Sequence, residues 1–189
     1  MNTLKTILLS NPEILSVAAS TNINGVAGNQ GPAFVDDSAH TKIYVRYGYV
    51  DPVFFDAMKI PVIAGNNFDP SLSNYQGVII NEAAARSLGW DQPIGKRFRF
   101  EMEDTVRIAP VIGVVKDYHY YSLRSPIEPA LWAWIPEELS GVVIKYRHPE
   151  NPDKKENLMK FIENSVKSVF PSTPYTSTEG TTFALNSYQ

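Results

Sequence analysis

Cysteine is absent from all 189 residues, which removes disulfides, thiolate zinc sites and a cysteine nucleophile together. Histidine is scarce, and His40, His119 and His148 stand too far apart to pair as metal ligands. Asp117 and His119 at i and i+2 supply two ligands at most, which does not close a site. No run of Lys or Arg exceeds two, the net charge is −3 and the pI is near 5.6, so a surface that tracks nucleic-acid phosphates is not indicated. No apolar run approaches the roughly 18–20 residues that span a bilayer, and Thr3 to Leu9 is too short and wrongly flanked for a signal peptide.

Catalytic signatures are missing too. Gly25, Gly28 and Gly31 lack the G-x-G-x-x-G spacing and the following helix of a dinucleotide site. Gly95-Lys96 resembles the end of a phosphate loop, but Trp90 occupies the place of its first glycine and Arg97 that of its Ser or Thr. No serine sits in a G-x-S-x-G elbow. The acidic residues Glu101, Glu103 and Asp104, and the pair Glu137-Glu138, are neighbours near turns, a solvated face and not two carboxylates held across a cleft. The sequence therefore predicts no enzyme and no cofactor.

What is present suits one domain or two small subdomains, with 43% hydrophobic residues to fill a core. Leu4, Ile7 and Leu8 have helical spacing before Asn11-Pro12, and Ile14 to Ser20 reads as a short strand. Residues 22–40, rich in Gly, Asn and Asp, read as a long loop. Thr41 to Val50 alternates, with Ile43, Val45, Tyr47 and Tyr49 on one face. Asp51-Pro52 is predicted to cap a helix reaching Lys59. Val78 to Ile80 is a buried strand feeding an Asn81-capped helix that Gly89 closes. Residues 96–102, 107–117, 130–135 and 142–147 read as strands, and 174–178 as a last one. Between them Pro152 to Phe170, capped by Asn151, carries the clearest helical stripe in the chain.

These elements make an α+β protein whose two ends look like halves of one layer, with a strand-rich insertion between them. The aromatic residues Tyr118, Tyr120, Tyr121, Trp132 and Trp134 are the candidate partner-contact residues, because Tyr and Trp offer rigid amphipathic area at low entropy cost. Alternation puts Tyr118 with Tyr120 on one face, and Trp132 with Trp134.

The block VIINEAAARSLGWDQPIGKRF (78–98), followed by VIGVVKDYHYYSLRSPIEPALW (111–132), resembles the MacB-like periplasmic core domain of ABC-transporter permeases, in the form common in Bacteroidetes. VDPVFFDAMKIPVIAGNNF (50–68) is similar to that family's Asp-initiated helix and Gly-Arg-x-Phe turn, with Asn66 and Asn67 where the Arg would stand. The tail keeps only Phe183, Leu185 and Tyr188 in loosely similar places. The resemblance implies a split porter-like subdomain (1–65 and 137–189) of mixed sheet and helices and an inserted Sabre-like subdomain (66–136). It implies a non-catalytic periplasmic domain of an inner-membrane permease of the MacB/FtsX type, cut from a longer chain with membrane helices on both sides. Such a domain couples ATP-driven membrane motion to export or to envelope partners. The implied partners are a second permease unit, a cytoplasmic ABC ATPase reached through the membrane domain, and a periplasmic or outer-membrane protein. The alternative reading is a periplasmic or cell-surface binding module for a sugar, peptide or lipoprotein.

Overall fold

The computed structural model describes residues 1–21, 29–39, 41–72, 75–102, 105–119, 126–172 and 177. Nine strands are described: β1 (Ile14–Ser20), β2 (Asn29–Val35), β3 (Lys42–Tyr49), β4 (Val62–Gly65), β5 (Val78–Asn81), β6 (Arg97–Met102), β7 (Thr105–Val115), β8 (Ala130–Ala133) and β9 (Gly141–Tyr146). Four α-helices accompany them: α1 (Asn2–Leu9), α2 (Phe54–Ala57), α3 (Glu82–Ser87) and α4 (Pro152–Val169). The expected strand at 174–178 and the tail residues Phe183, Leu185 and Tyr188 lie outside the described residues, Ser177 apart.

Seven strands run in the order β4-β7-β5-β8-β3-β2-β6, and β6 also pairs antiparallel with the first half of β7. That last pairing closes six of them into a barrel with β4 alongside β7. Alternation then sorts the side chains. Ala33, Val35, Ile43, Val45, Val78, Ile80, Phe98, Ala109, Val111, Leu131 and Ala133 fill the interior, at least one from every strand of the ring, and Ala84 and Ala85 of α3 pack against them. The intervening residues Ile79, Val115, Ala130 and Trp132 face outward, where Phe54 and Phe55 of α2 cover them in a second cluster that also takes in Ala18 of β1.

The other sheet is the antiparallel pair β1–β9, made from the two ends of the chain. Its far face is covered by α1 and α4 through Leu4, Leu8, Ile14, Val17, Leu158 and Ile162. Asn151 caps α4 by accepting from Lys154 N at 2.9 Å, and Pro152 occupies the first turn. The layers therefore run from helices α1 and α4, through β1–β9 and α2, to the barrel. Strands β2, β3 and β4 come from the first 65 residues yet hydrogen-bond within the barrel sheet, alongside strands of 66–136.

Three elements differ from the sequence expectation. The 22–40 segment contains β2, a strand carrying Gly31 and Pro32. Val35 N donates to Thr41 O, so the odd-numbered residues exchange bonds with β3 and Pro32, lacking an N–H, faces the β6 side. There β2 pairs only through Phe34 and Val35, and the proline breaks no ladder. The helix after Asp51 is a single turn, and Asp51 enters it through an Asx turn, Oδ1 accepting from Val53 N at 3.1 Å. After Ile60-Pro61 the chain forms β4, whose Gly65 has φ 68 and comes so near Ile112 O that a Cβ would sit 2.2 Å from that oxygen.

Tyr75 packs against the barrel cluster with the Arg107 guanidinium 4.9 Å from its ring centre. Burial pushes its phenol up to about 12, with Arg107 opposing. A phenol whose folded pKa lies above the unfolded value of about 10 contributes stability that is complete below about pH 10 and is lost as pH rises toward 12. Absorbance titration of the folded protein is expected to show Tyr75 ionising after the exposed tyrosines, and Tyr75→Phe should remove that late step and flatten the alkaline loss of stability.

Candidate functional site

The residues of the 78–98 and 111–132 blocks are wired to one another. Asn81, 1% exposed, sits where β5 becomes α3. Its Oδ1 accepts from Ala84 N at 3.0 Å, capping α3, and from Ala130 N at 2.8 Å, while Nδ2 donates to Glu128 O at 2.9 Å. Asp117, just past β7, accepts from Ala83 N at 2.9 Å through Oδ1 and from Arg86 Nη2 at 2.5 Å through Oδ2. Glu82 Oε2 returns the bond by accepting from Asp117 N at 2.9 Å. The Glu128 carboxylate pairs with Arg46 Nε at 2.7 Å. The chain from 117 to 128 is thus fastened at both ends to the start of α3. In this cluster each of the three carboxylates serves a backbone N–H or a guanidinium, which is positioning chemistry and not acid–base chemistry.

Three of the five candidate contact residues, Tyr118, Trp132 and Trp134, fall within the described residues. Tyr118 is 2% exposed and Trp132 fully buried. They stack with ring centres 6.1 Å apart, and Phe55 meets Trp132 edge-on at 5.5 Å. Both are therefore core residues beneath α2. Trp134 is half-buried against the same cluster, 6.5 Å from Phe68, so the two tryptophans do share a face. Tyr120 and Tyr121 lie outside the described residues. The Asp117 carboxylate is engaged with α3, and among the described residues no group of three or more His, Asp or Glu converges as a metal site.

Of a second junction the sequence signals only the turn at Asp51-Pro52, not its links to α1 and β1. Asp51, 4% exposed, links three elements: its Oδ2 accepts from Ala19 N at 2.9 Å and from the ammonium of Lys5 on α1, while Oδ1 holds the turn into α2. Asn67, at the position pair where the related pattern has Arg, bridges Pro52 O at 2.8 Å, so a local hydrogen bond stands there instead of a guanidinium. No helix among the described residues is long and apolar enough to cross a membrane.

A family model for the MacB-like periplasmic core domain matches residues 3–160. The chain belongs to the MacB-like periplasmic core domain family. Solved structures share the fold. A domain of a protein described as a permease from Porphyromonas gingivalis is 18% identical with a TM-score of 0.60, over 97% of this chain and 87% of that one. The extracellular domain of the ABC-type transporter YknZ from Gram-positive bacteria is 16% identical with a TM-score of 0.59, over 91% and 82%. The periplasmic region of MacB from Actinobacillus actinomycetemcomitans is 16% identical with a TM-score of 0.56, over 92% and 84%. No curated protein matches by sequence. A MacB-like periplasmic core domain is a non-catalytic extracytoplasmic part of an ABC-transporter permease of the MacB/FtsX type. Asn81, Asp117 and Glu128, and likewise Lys5 and Asp51, all fall inside the matched 3–160.

Proposed function

We propose that this periplasmic core domain relays ATP-driven motion of its permease's membrane helices to the envelope outside the membrane. The ATPase is a separate cytoplasmic domain or subunit, and two permease units act together. The observation that carries the reading is the layering: α1, β1, β9 and α4, built from both ends of the chain, form one unit, and the barrel forms the other. A displacement applied at the chain ends can reach the barrel through α2, through the Asp51 junction and through the joint of β1 with the end of β3, where Thr21 N donates to Tyr49 O at 3.0 Å. In this division the chain-end unit is the porter-like part, and the remaining strands, with 66–136 among them, form the part that meets a periplasmic or outer-membrane partner. The segment between Asp117 and Glu128, with Tyr120 and Tyr121, is the proposed contact, supported by its fastening at both ends. Inactivating the cognate ATPase is expected to abolish the export phenotype that depends on this domain, and an unchanged phenotype would refute the reading.

The junction makes its own prediction. Lys5→Met leaves the Asp51 carboxylate, 6% exposed, without its cation, and should cost about 3 kcal/mol. A double-mutant cycle with Asp51→Asn, followed by urea unfolding, isolates the coupling. Hydrogen exchange in Lys5→Met should rise first in α1 and at Ala19.

A further inference from the structure

The two ends of the barrel are finished differently. At one, Leu88 and Trp90 pack on the core beside Ala84 and Ala85 of α3, with the Trp90 ring 5.4 Å from Phe98. The ladders fix what stands at the other. Tyr49 of β3 is in register with Ala133 of β8, Ala133 with Val78 of β5, and Val78 with Val111 of β7. Beyond that rung, on the side away from α3, Tyr75 leads into β5, β7 reaches back to Arg107, and β8 runs on to Ile135. Phe100 of β6 lies directly opposite Arg107. Tyr47, Tyr49, Tyr75, Phe100 and Ile135 all pack on the barrel core, and all keep part of their surface open. Gly31 of β2 makes room for the Tyr47 ring, since a Cβ there would lie 3.3 Å from Tyr47 Cε1. The Arg107 guanidinium, half-buried, lies over the Tyr75 ring at 4.9 Å. Its N–H donors lie in its own plane and are not used by the ring face. Among the described residues no carboxylate is bonded to it; Glu138, whose charge reaches Tyr49, is exposed. A half-buried guanidinium inside an aromatic collar is the complement of an anion carried on an apolar body.

We propose that this open end of the barrel binds an apolar organic acid, its carboxylate on Arg107 and its apolar body against Tyr47, Tyr49, Tyr75 and Phe100. The guanidinium fork matches a carboxylate through two parallel hydrogen bonds. The mouth of a barrel, lined by aromatic side chains with one charged group to orient the ligand, is a common setting for such a site. Asp117 and Glu128, which fasten the 117–128 segment, stand at the α3 end, so the two sites do not overlap. The site does not require the relay function proposed above.

The test titrates the isotope-labelled 189-residue chain with N-acetylphenylalanine while its backbone amide resonances are followed. N-acetylphenylalaninamide, the same body without the carboxylate, is the control. The acid should shift the amides of Tyr49, Phe100 and Arg107 with a Kd of about 1 mM, and the amide should bind about tenfold more weakly. Arg107→Gln should also weaken the acid about tenfold, and Arg107→Lys, which keeps the charge but not the fork, should fall between. Lys42→Gln removes a cation that lies over Tyr44 on the barrel's outer wall, 4.9 Å from its ring centre, and should leave binding unchanged. The same spectra report whether each variant is folded. Glu103 and Asp104, in the turn between β6 and β7, lie outside the described residues, so Glu103→Gln/Asp104→Asn is titrated as well. Binding by that variant but not by the natural chain would mean that its own carboxylates fill the site, which overturns the proposal. Equal binding of acid and amide, binding that Arg107→Gln retains in full, or no shift at this end of the barrel overturns it too.

Discussion

Trp132→Ala is expected to lower the unfolding free energy by about 3–5 kcal/mol, a large share of the roughly 5–15 kcal/mol typical of a domain. The indole is fully buried between the barrel's outer wall and α2, with Phe55 edge-on and Tyr118 stacked. Truncation leaves a cavity that neither the strand nor a one-turn helix can close. For a chain of this size the melting temperature should fall by about 10 °C or more. Trp132→Phe is the control. The indole Nε1 has no hydrogen-bond partner among the described residues, so phenylalanine loses some packing but removes a buried unpaired N–H, and its cost should be about 1 kcal/mol. Thermal melts of the two variants check this. A folded, equally stable Trp132→Ala domain that had only lost a partner would return Trp132 to the role of a contact residue.

Asn81→Ala should cost about 4 kcal/mol. It strips the cap from α3 and leaves Ala84 N, Ala130 N and Glu128 O without their side-chain partner, at about 1–3 kcal/mol for each buried group that water does not reach. Asn81→Asp keeps both acceptor bonds, at a helix N-terminus that favours negative charge. It loses the donation to Glu128 O and sets two oxygens against each other, for about 2 kcal/mol. Urea unfolding should order the variants in that way. Hydrogen exchange should lose protection at Ala84 and Ala130 before it does elsewhere in the barrel; unchanged exchange at both amides would mean that the Asn81 network does not hold the two segments together.

The features legible in the sequence were those with a local cause. The stripe of α4, its Asn151 cap, the alternation of β3, and the turn from β5 through Asn81 to Gly89 each depend on residues within a few positions of one another. The resemblance of 78–132 to a known family was also visible, but its physical content was not. Asp117 reaches Ala83 because β7 pairs with β5, and Glu128 reaches Arg46 because β8 pairs with β3, and nothing local reports those pairings. Strand β2 was missed because Gly31 and Pro32 argue against a strand unless the pairing on the proline side is known to be short. Strand β4 was missed because four residues beside one partner carry no periodicity. The aromatic residues show the same boundary. Alternation placed Trp132 with Trp134 on one face, but the covering of that face by Phe54 and Phe55 is a tertiary fact. Lys5 and Asp51 are 46 positions apart, and neither residue alone signals the other.

The central claim is that the barrel moves when ATP is bound elsewhere in the transporter. Because the domain has no cysteine, Tyr44→Cys, at a position 59% exposed on the barrel, places a single spin label in this domain. Pulsed electron resonance between the two permease units proposed above, in the reconstituted transporter with its ATPase either empty or trapped with ATP, then reads the barrel-to-barrel distance. The account predicts that the distance distribution shifts by more than about 5 Å between the two states. Identical distributions, with ATP hydrolysis intact, would contradict it.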